Sequence, residues 1–372
     1  MIKCLPQEYL LRQGGTLQGL YESYAIESKW HPKHKSLVQL KYNQILSPMN
    51  EPIVQQCRGL ILDAQSQWRP TAWPFNKFFN HGEPHAVNLV WPSCSIQEKL
   101  DGSLCILYFY DREWHVATSG MPDAGGDVNG FGFTFAQLFW SVFKEKGYVV
   151  PPPVDRGLTF MFELATPYNR VVVQHKKNSL TLIGVKNNAS GYEMHPDQFD
   201  QYFDTVTEFG LWSLEGILKS FDNMNPLQQE GYVVVDKNFN RLKVKHPGYV
   251  AIHHLRSAFG PRKIVEIIQK GESDELLAHF PEWKPAFDKV QSAFDRLHVD
   301  LHMEYMRLRD IGDQKEFALE AVKTRYPAAL FMVRAGKAQS VRDALAQMTT
   351  DKLYELLEVK DVELVSSTEA LP

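Results

Sequence analysis

The spacing of apolar residues changes once along this chain, near residue 257, and that change limits the folds open to it. Before it, LVQLKYNQIL, GLILDA, CILYFY, WHVATSG, LTFMFELA, RVVVQ, SLTLIGV, GYVVVD and RLKVK are short β-rich runs bounded by Gly, Pro, Asn or Asp. Short strands separated by turns predict antiparallel or mixed sheets with helical insertions, not a doubly wound βαβ series. One helix is expected over 135–146, with the PPP at 151–153 as a rigid break after it. Beyond residue 257, Phe287, Val290, Phe294, Leu297, Leu301, Tyr305 and Leu308 recur at steps of three and four, one apolar face of a helix. Ser340, three residues before Asp343, reads as an N-cap, and 351–359 as a further helix. The expected class is α+β: a domain over 1–256 of antiparallel sheets with helices, then an all-α domain over 257–372.

Composition narrows the setting. Apolar residues are 44% and charged residues 23%, as in ordinary globular chains, which excludes a disordered one. No apolar run approaches the ~18–20 residues of a membrane span, so no membrane partner is expected. MIKCLPQEYLLRQGG lacks the apolar stretch of a secretory signal. Cys4, Cys57, Cys94 and Cys105 form no CxxC pair, which fits a reduced, cytoplasmic setting. A net charge of −4 excludes a basic coat over the whole molecule but not a local basic groove.

Chemistry is concentrated in a few charges embedded in apolar sequence. In Glu98-Lys99-Leu100-Asp101-Gly102-Ser103, a lysine precedes a tight Asp-Gly turn and then a strand. Such a turn presents the amine into a cleft, and Gly102 lets backbone approach a phosphate or base. The pattern alone also suits a surface lysine beside a hairpin. Arg58, Glu163 and Glu230 each interrupt an apolar run. Lys243 and Lys245 flank Val244, so on a strand they share a face. Taken alone, each of these charges also reads as the polar face of a strand, but two like charges on one face repel and make sense around a polyphosphate. His246, His253 and His254 cluster without a zinc spacing and are expected to be structural, as are His81 and His85.

In order, CRG, KxDGS, FE, EGYVV and KVK resemble the covalent nucleotidyltransferase superfamily of ligases and RNA capping enzymes. Closer detail is similar to its RNA ligase 1 type, the tRNA-repair ligases. That detail is Tyr42-Asn43, Lys77-Phe78-Phe79-Asn80, and Pro167 with Asn169-Arg170. The resemblance covers about residues 35–255 and implies a nucleotidyltransferase (ATP-grasp-like ligase) domain. It also implies three steps. Lys99 attacks the α-phosphorus of ATP and releases pyrophosphate, AMP passes to an RNA 5′-phosphate, and a 3′-hydroxyl displaces AMP. The covalent intermediate divides one hard reaction into easier ones. Further, it implies that Glu163 bonds the ribose and that Glu230 holds Mg²⁺ or Mn²⁺. Arg58 grips the ribose and later the RNA phosphate, while Lys243 and Lys245 neutralise the triphosphate. Tyr42, Lys77 and Phe79 meet the ATP phosphates or base, and Ile183 and Val233 sandwich adenine. Alternating strand residues also commonly fill core, and that reading of Ile183 and Val233 stays open.

One position departs from the resemblance: Ser119, before Gly120, stands where the family often has lysine. The implied partner is RNA, a nicked tRNA anticodon loop above all, with a polynucleotide kinase-phosphatase preparing the ends. The helical domain is expected to select the RNA. Three alternatives compete: a DNA ligase, a capping-type enzyme, or an inert RNA-binding module on this scaffold. The first two usually carry an OB-fold where helical spacing stands here. The third conflicts with an intact lysine, two glutamates and a lysine pair.

Overall fold

The computed structural model describes residues 2–255 and 260–359. The chain divides into two compact units. One runs to His253 and omits residues 44–46. The other gathers 44–46 with the chain from His254 onward. The expected boundary at 256/257 lies outside the described residues.

Three sheets build the first unit. A four-stranded antiparallel sheet takes Ile26–Trp30, Leu37–Tyr42, Arg58–Asp63 and Arg69–Ala72 in that order. A five-stranded sheet runs Glu193–Met194, Ser179–Asn187, Leu158–Ala165, Ser103–Tyr110 and Glu113–Thr118. Its central strand, LTFMFELA, is buried at every position but Glu163, so its apolar run is continuous where a one-faced strand would alternate. The helix Phe135–Glu145 covers this sheet, opened by a capping box in which Thr134 and Gln137 bond each other's backbone. Leu138, Phe139, Val142 and Phe143 pack there against Phe160, Phe162 and Phe203.

The third sheet carries most of the charged motifs. Its order is Glu208–Phe209, Ser95–Lys99, Gly231–Val235, Arg241–Lys245 and Phe79–Asn80, the last pair parallel and the rest antiparallel. Ile96, Tyr232, Val234, Leu242 and Val244 turn to one face and form a core with Ile217 and Phe221. The intervening residues Gln97, Lys99, Val233, Lys243 and Lys245 therefore face the other way, as a period of two requires.

The regular elements of the second unit are all helices among its described residues, from Pro261–Lys270 to Thr350–Leu357. Lys284–Leu308 buries Phe287, Val290, Phe294, Leu297, Leu301 and Leu308, while Tyr305 is half-buried. The Ser340 hydroxyl accepts from the Asp343 amide and caps Val341–Ala346 as expected. No helix among the described residues is long and apolar enough to cross a membrane.

Candidate active site

A cleft of about 470 Å³ opens in the first unit. Of the residues singled out from sequence, Arg58, Lys99, Gly102, Glu163, Ile183, Val233, Lys243 and Lys245 line it, as does Ser119. Its size suits a nucleotide-scale ligand.

Register explains the convergence. Across the third sheet Lys99 pairs with Gly231, and Gly231 with Lys245. The middle position of that row has no side chain, so lysines from the two outer strands face each other over a gap. Glu230, one residue before the gap, fills it from below. Its Oε2 lies 2.7 Å from Lys99 Nζ and its Oε1 3.0 Å from Lys245 Nζ. Burial works to raise the Glu230 carboxyl, but the two ammonium groups overcome it and hold it below its ordinary range. Glu230 is 3% exposed. It touches the lysines of the cleft without lining it.

The next row, Gln97, Val233 and Lys243, forms the neighbouring stretch of floor. Burial, then the neighbouring cations Lys245, Arg58, Lys99 and Lys77, holds Lys243 well below the usual lysine range. An anion entering the cleft offsets the repulsion among these cations, so the cleft favours polyanions.

Two β-bulges aim side chains here. In Ser179–Asn187 the pairing skips from Leu182 to Gly184, leaving Ile183 as the extra residue, turned into the cleft. Between Leu40 and Lys41 the partner strand skips Gly59. Gly59 has φ +89°, and a Cβ there would sit 2.9 Å from the Ser119 Cα, so glycine lets Arg58's strand press against that backbone. Gly102 also needs its missing side chain, but the space saved faces the Leu164 carbonyl, 2.4 Å from a built Cβ. Close packing on the adjacent strand thus also requires glycine here, in a residue that lines the cleft. Beside Ser119, the Lys41 ammonium lies 3.2 Å from a Cβ built on Gly120, so a cation already stands near this segment.

Asp101 does not enter the cleft. One carboxylate oxygen accepts from the Val172 and Val173 amides, and the other from the Tyr249 hydroxyl at 2.8 Å. These bonds correct the reading of RVVVQ as a strand: residues 170–174 form a loop whose donors are satisfied by a side chain. Asp101→Ala leaves three buried donors without that acceptor. A loss of about 3 kcal/mol or more is expected, read by thermal or urea melting.

Glu163 sits half-buried at the cleft wall. Burial pushes its carboxyl up to about 7, with Lys99 opposing and Glu230 adding to the rise. A raised folded-state value means the folded chain holds this proton more tightly. That contribution is complete below the unfolded value near 4.5 and is lost as pH rises through about 7. Glu163→Gln should therefore gain stability over wild type on the alkaline side of 7 and lose that advantage near 4.5. The full difference is up to about 3 kcal/mol, and melting curves across this range test it.

Three expected contacts stand apart from the cleft. Lys77 and Phe79 line a separate hollow of about 150 Å³. The Lys77 ammonium lies 5.1 Å from the Tyr42 ring and 5.2 Å from that of Phe79, a cation held between two aromatic faces. Phe78 borders both spaces, with Arg58 and Lys243 against its ring. Sequence reading missed Phe78, Phe75, Gln97 and Arg241 as cleft residues. The last two were legible: Gln97 shares Lys99's strand face, and Arg241 shares that of Lys243 and Lys245. Arg241 is pinned by Glu193 at 2.6 Å and stacks on Phe75 at 4.1 Å.

His246 is structural, its Nδ1 accepting from the Gly248 amide; the side chain of His254 lies outside the described set. His31, His34 and His115 form a cluster that the sequence reading did not anticipate, with ligand atoms within 4.8 Å of one another. None of them lines the cleft. His31 Nδ1 already accepts from the Lys33 and His34 amides, and burial pushes the ring down to about 4.

A lysine closing a strand and held through a buried glutamate to Lys245, two strands away in the same sheet, is the arrangement the sequence resemblance implies for a nucleotidyltransferase-type ligase. Within that class the chain belongs to the RNA ligase family, of the RNA ligase 1 type, its residues 56–249 matching the model described as RNA ligase. It is similar to the RNA ligase of Rhodothermus phage RM378, 24% identical over 375 residues, 80% of this chain and 85% of that protein. A protein of Autographa californica nuclear polyhedrosis virus carries the provisional name bifunctional polynucleotide kinase/RNA ligase. It is 26% identical over 393 residues, covering 97% of this chain, which spans 54% of that longer protein. Among solved structures, an archaeal ATP-dependent RNA ligase superposes with a TM-score of 0.47 at 14% identity, over 73% of this chain and 74% of that one.

Proposed function

We propose that the chain joins RNA ends with a 5′-phosphate and a 3′-hydroxyl, using ATP through a lysyl-adenylate on Lys99. The observation that carries this is the row Lys99–Gly231–Lys245 with Glu230 beneath it. It puts one amine at the end of a strand, beside cations and next to a cleft of nucleotide size. Only a neutral amine attacks phosphorus, so the step needs an acceptor for the Lys99 proton. Glu230 accepts a hydrogen bond from it at 2.7 Å and is the nearest base. The reaction needs little further covalent help; positioning and electrostatics dominate.

Lys243, Lys245 and Arg58 would take the phosphates, Glu163 the ribose, and Ile183 with Val233 the base. The Tyr42–Lys77–Phe79 stack beside the cleft suits the outer phosphates of ATP. A divalent cation fits the donor set: the Glu163 carboxylate lines the cleft, and the hard oxygens of Glu230 lie against two of its lysines. Glu230 would hold Mg²⁺ or Mn²⁺ once its grip on Lys99 loosens, and the ion would offset the triphosphate charge. The RNA reading of the family favours a nicked tRNA as substrate, with selection by the helical unit. The named kinase activity of the viral relative fits ends prepared by a polynucleotide kinase. Labelled ATP with magnesium tests the core reading: a covalent AMP adduct supports it, its absence sinks it, and displacement by GTP would favour a capping-type enzyme.

A further inference from the structure

Away from the cleft lining, three aromatic rings cluster at the surface of the first unit. Phe131 and Phe133 lie nearly parallel with centroids 6.0 Å apart, and Tyr168 meets both edge-on at 5.2 and 5.4 Å. Phe131 is 54% exposed and Tyr168 39%. These rings are not on a floppy strap. The Asp127 carboxylate accepts from the Gly130 and Gly132 amides, Phe133's carbonyl accepts from the Val128 amide, and Asn129 Nδ2 donates to the Tyr168 carbonyl at 2.8 Å. The backbone is thus built to hold apolar rings in water, an arrangement that costs free energy unless a partner covers them.

The same framework reaches the cleft. Phe135, two residues beyond Phe133, lines it. Asn169, next to Tyr168, donates to Ser103 Oγ, another lining residue. Arg170, Lys176 and Lys177 follow in the same loop, exposed and with no carboxylate partner among the described residues. Aromatic faces, followed in the loop by Lys176, Lys177 and an Arg170 whose Nε donates to the Val172 carbonyl, match unpaired nucleotides, whose bases stack and whose phosphates need positive charge.

We propose that Phe131, Phe133 and Tyr168 form a stacking platform for an unpaired base of the RNA strand whose end enters the cleft, with Arg170, Lys176 and Lys177 taking its phosphates. This rests on the reading of the cleft as an RNA-joining site. The probe is a short 5′-phosphorylated single-stranded RNA, intact or with abasic sugars, and the readout is fluorescence anisotropy. Phe131→Ala combined with Tyr168→Ala should weaken binding of the intact RNA about tenfold or more. Wild type should lose a similar factor on the abasic RNA, and the double variant should lose little further. Tyr168→Phe should bind as wild type does. Equal affinity of wild type and double variant, or fully independent losses, would overturn the platform and leave the rings to a protein partner. AMP labelling, which uses no RNA, is scored on every preparation. A wild type that takes no label refutes the ligase reading itself, whatever the binding results.

Discussion

Lys99→Ala should take no covalent label from ATP and should fail to join RNA that carries a plain 5′-phosphate. It should still join RNA supplied already adenylated, because the last step is attack by a 3′-hydroxyl on an activated phosphate and needs no protein nucleophile. The contrast between two substrates makes this a test of role and not merely of folding. Loss of both activities would indicate a collapsed site, and a persisting adduct would move the nucleophile to another side chain. Collapse is not expected from the geometry. Lys99 ends its strand, its backbone pairing with Gly231 survives truncation, and only one of Glu230's two cationic partners is removed.

Glu230→Ala should lower the rate of lysyl-adenylate formation by about a hundredfold or more. Removing it leaves Lys99 and Lys245 facing each other across the gap at Gly231 with no anion between them. Breaking such a buried pair typically costs about 3–5 kcal/mol, so melting must accompany the rate measurement. Glu230→Gln separates charge from shape: it retains a hydrogen-bond acceptor for one lysine while losing the negative charge. Lys245→Ala should depress adenylation to a similar extent, since it removes the other end of the bridge. Near-normal labelling by a folded Glu230→Gln would show that the carboxylate's charge is not used in the first step.

Much of this was legible because strand period and charge placement agree. Lys243 and Lys245 share a face in the structure as period two requires, and the helix over 284–308 buries nearly the whole apolar stripe that spacing assigned to it. The misreadings have long-range causes. RVVVQ has the composition of a strand, yet its amides are claimed by Asp101, 71 positions before Val172. LVQLKYNQIL leaves the sheet at Tyr42, where Asn43 and Ser47 close a turn on each other. Ile183 reaches the cleft through a bulge, and a bulge is a property of pairing that one strand's sequence does not display. The Tyr42, Lys77 and Phe79 positions were found as a set, but that they form a cation stack beside the cleft depends on how separate strands meet.

The bond from Tyr249 to Asp101 alters where the proposed site ends. Counted by cleft side chains, the last position is Lys245. Counted by what keeps the turn after Lys99 in place, it lies four residues later, on the helix Pro247–Leu255. A fragment cut after Lys245 would retain every cleft lysine while leaving half of the Asp101 carboxylate without its partner, inside a packed core. Anyone seeking the smallest self-labelling piece of this chain should therefore choose its end by that hydroxyl and not by the final lysine.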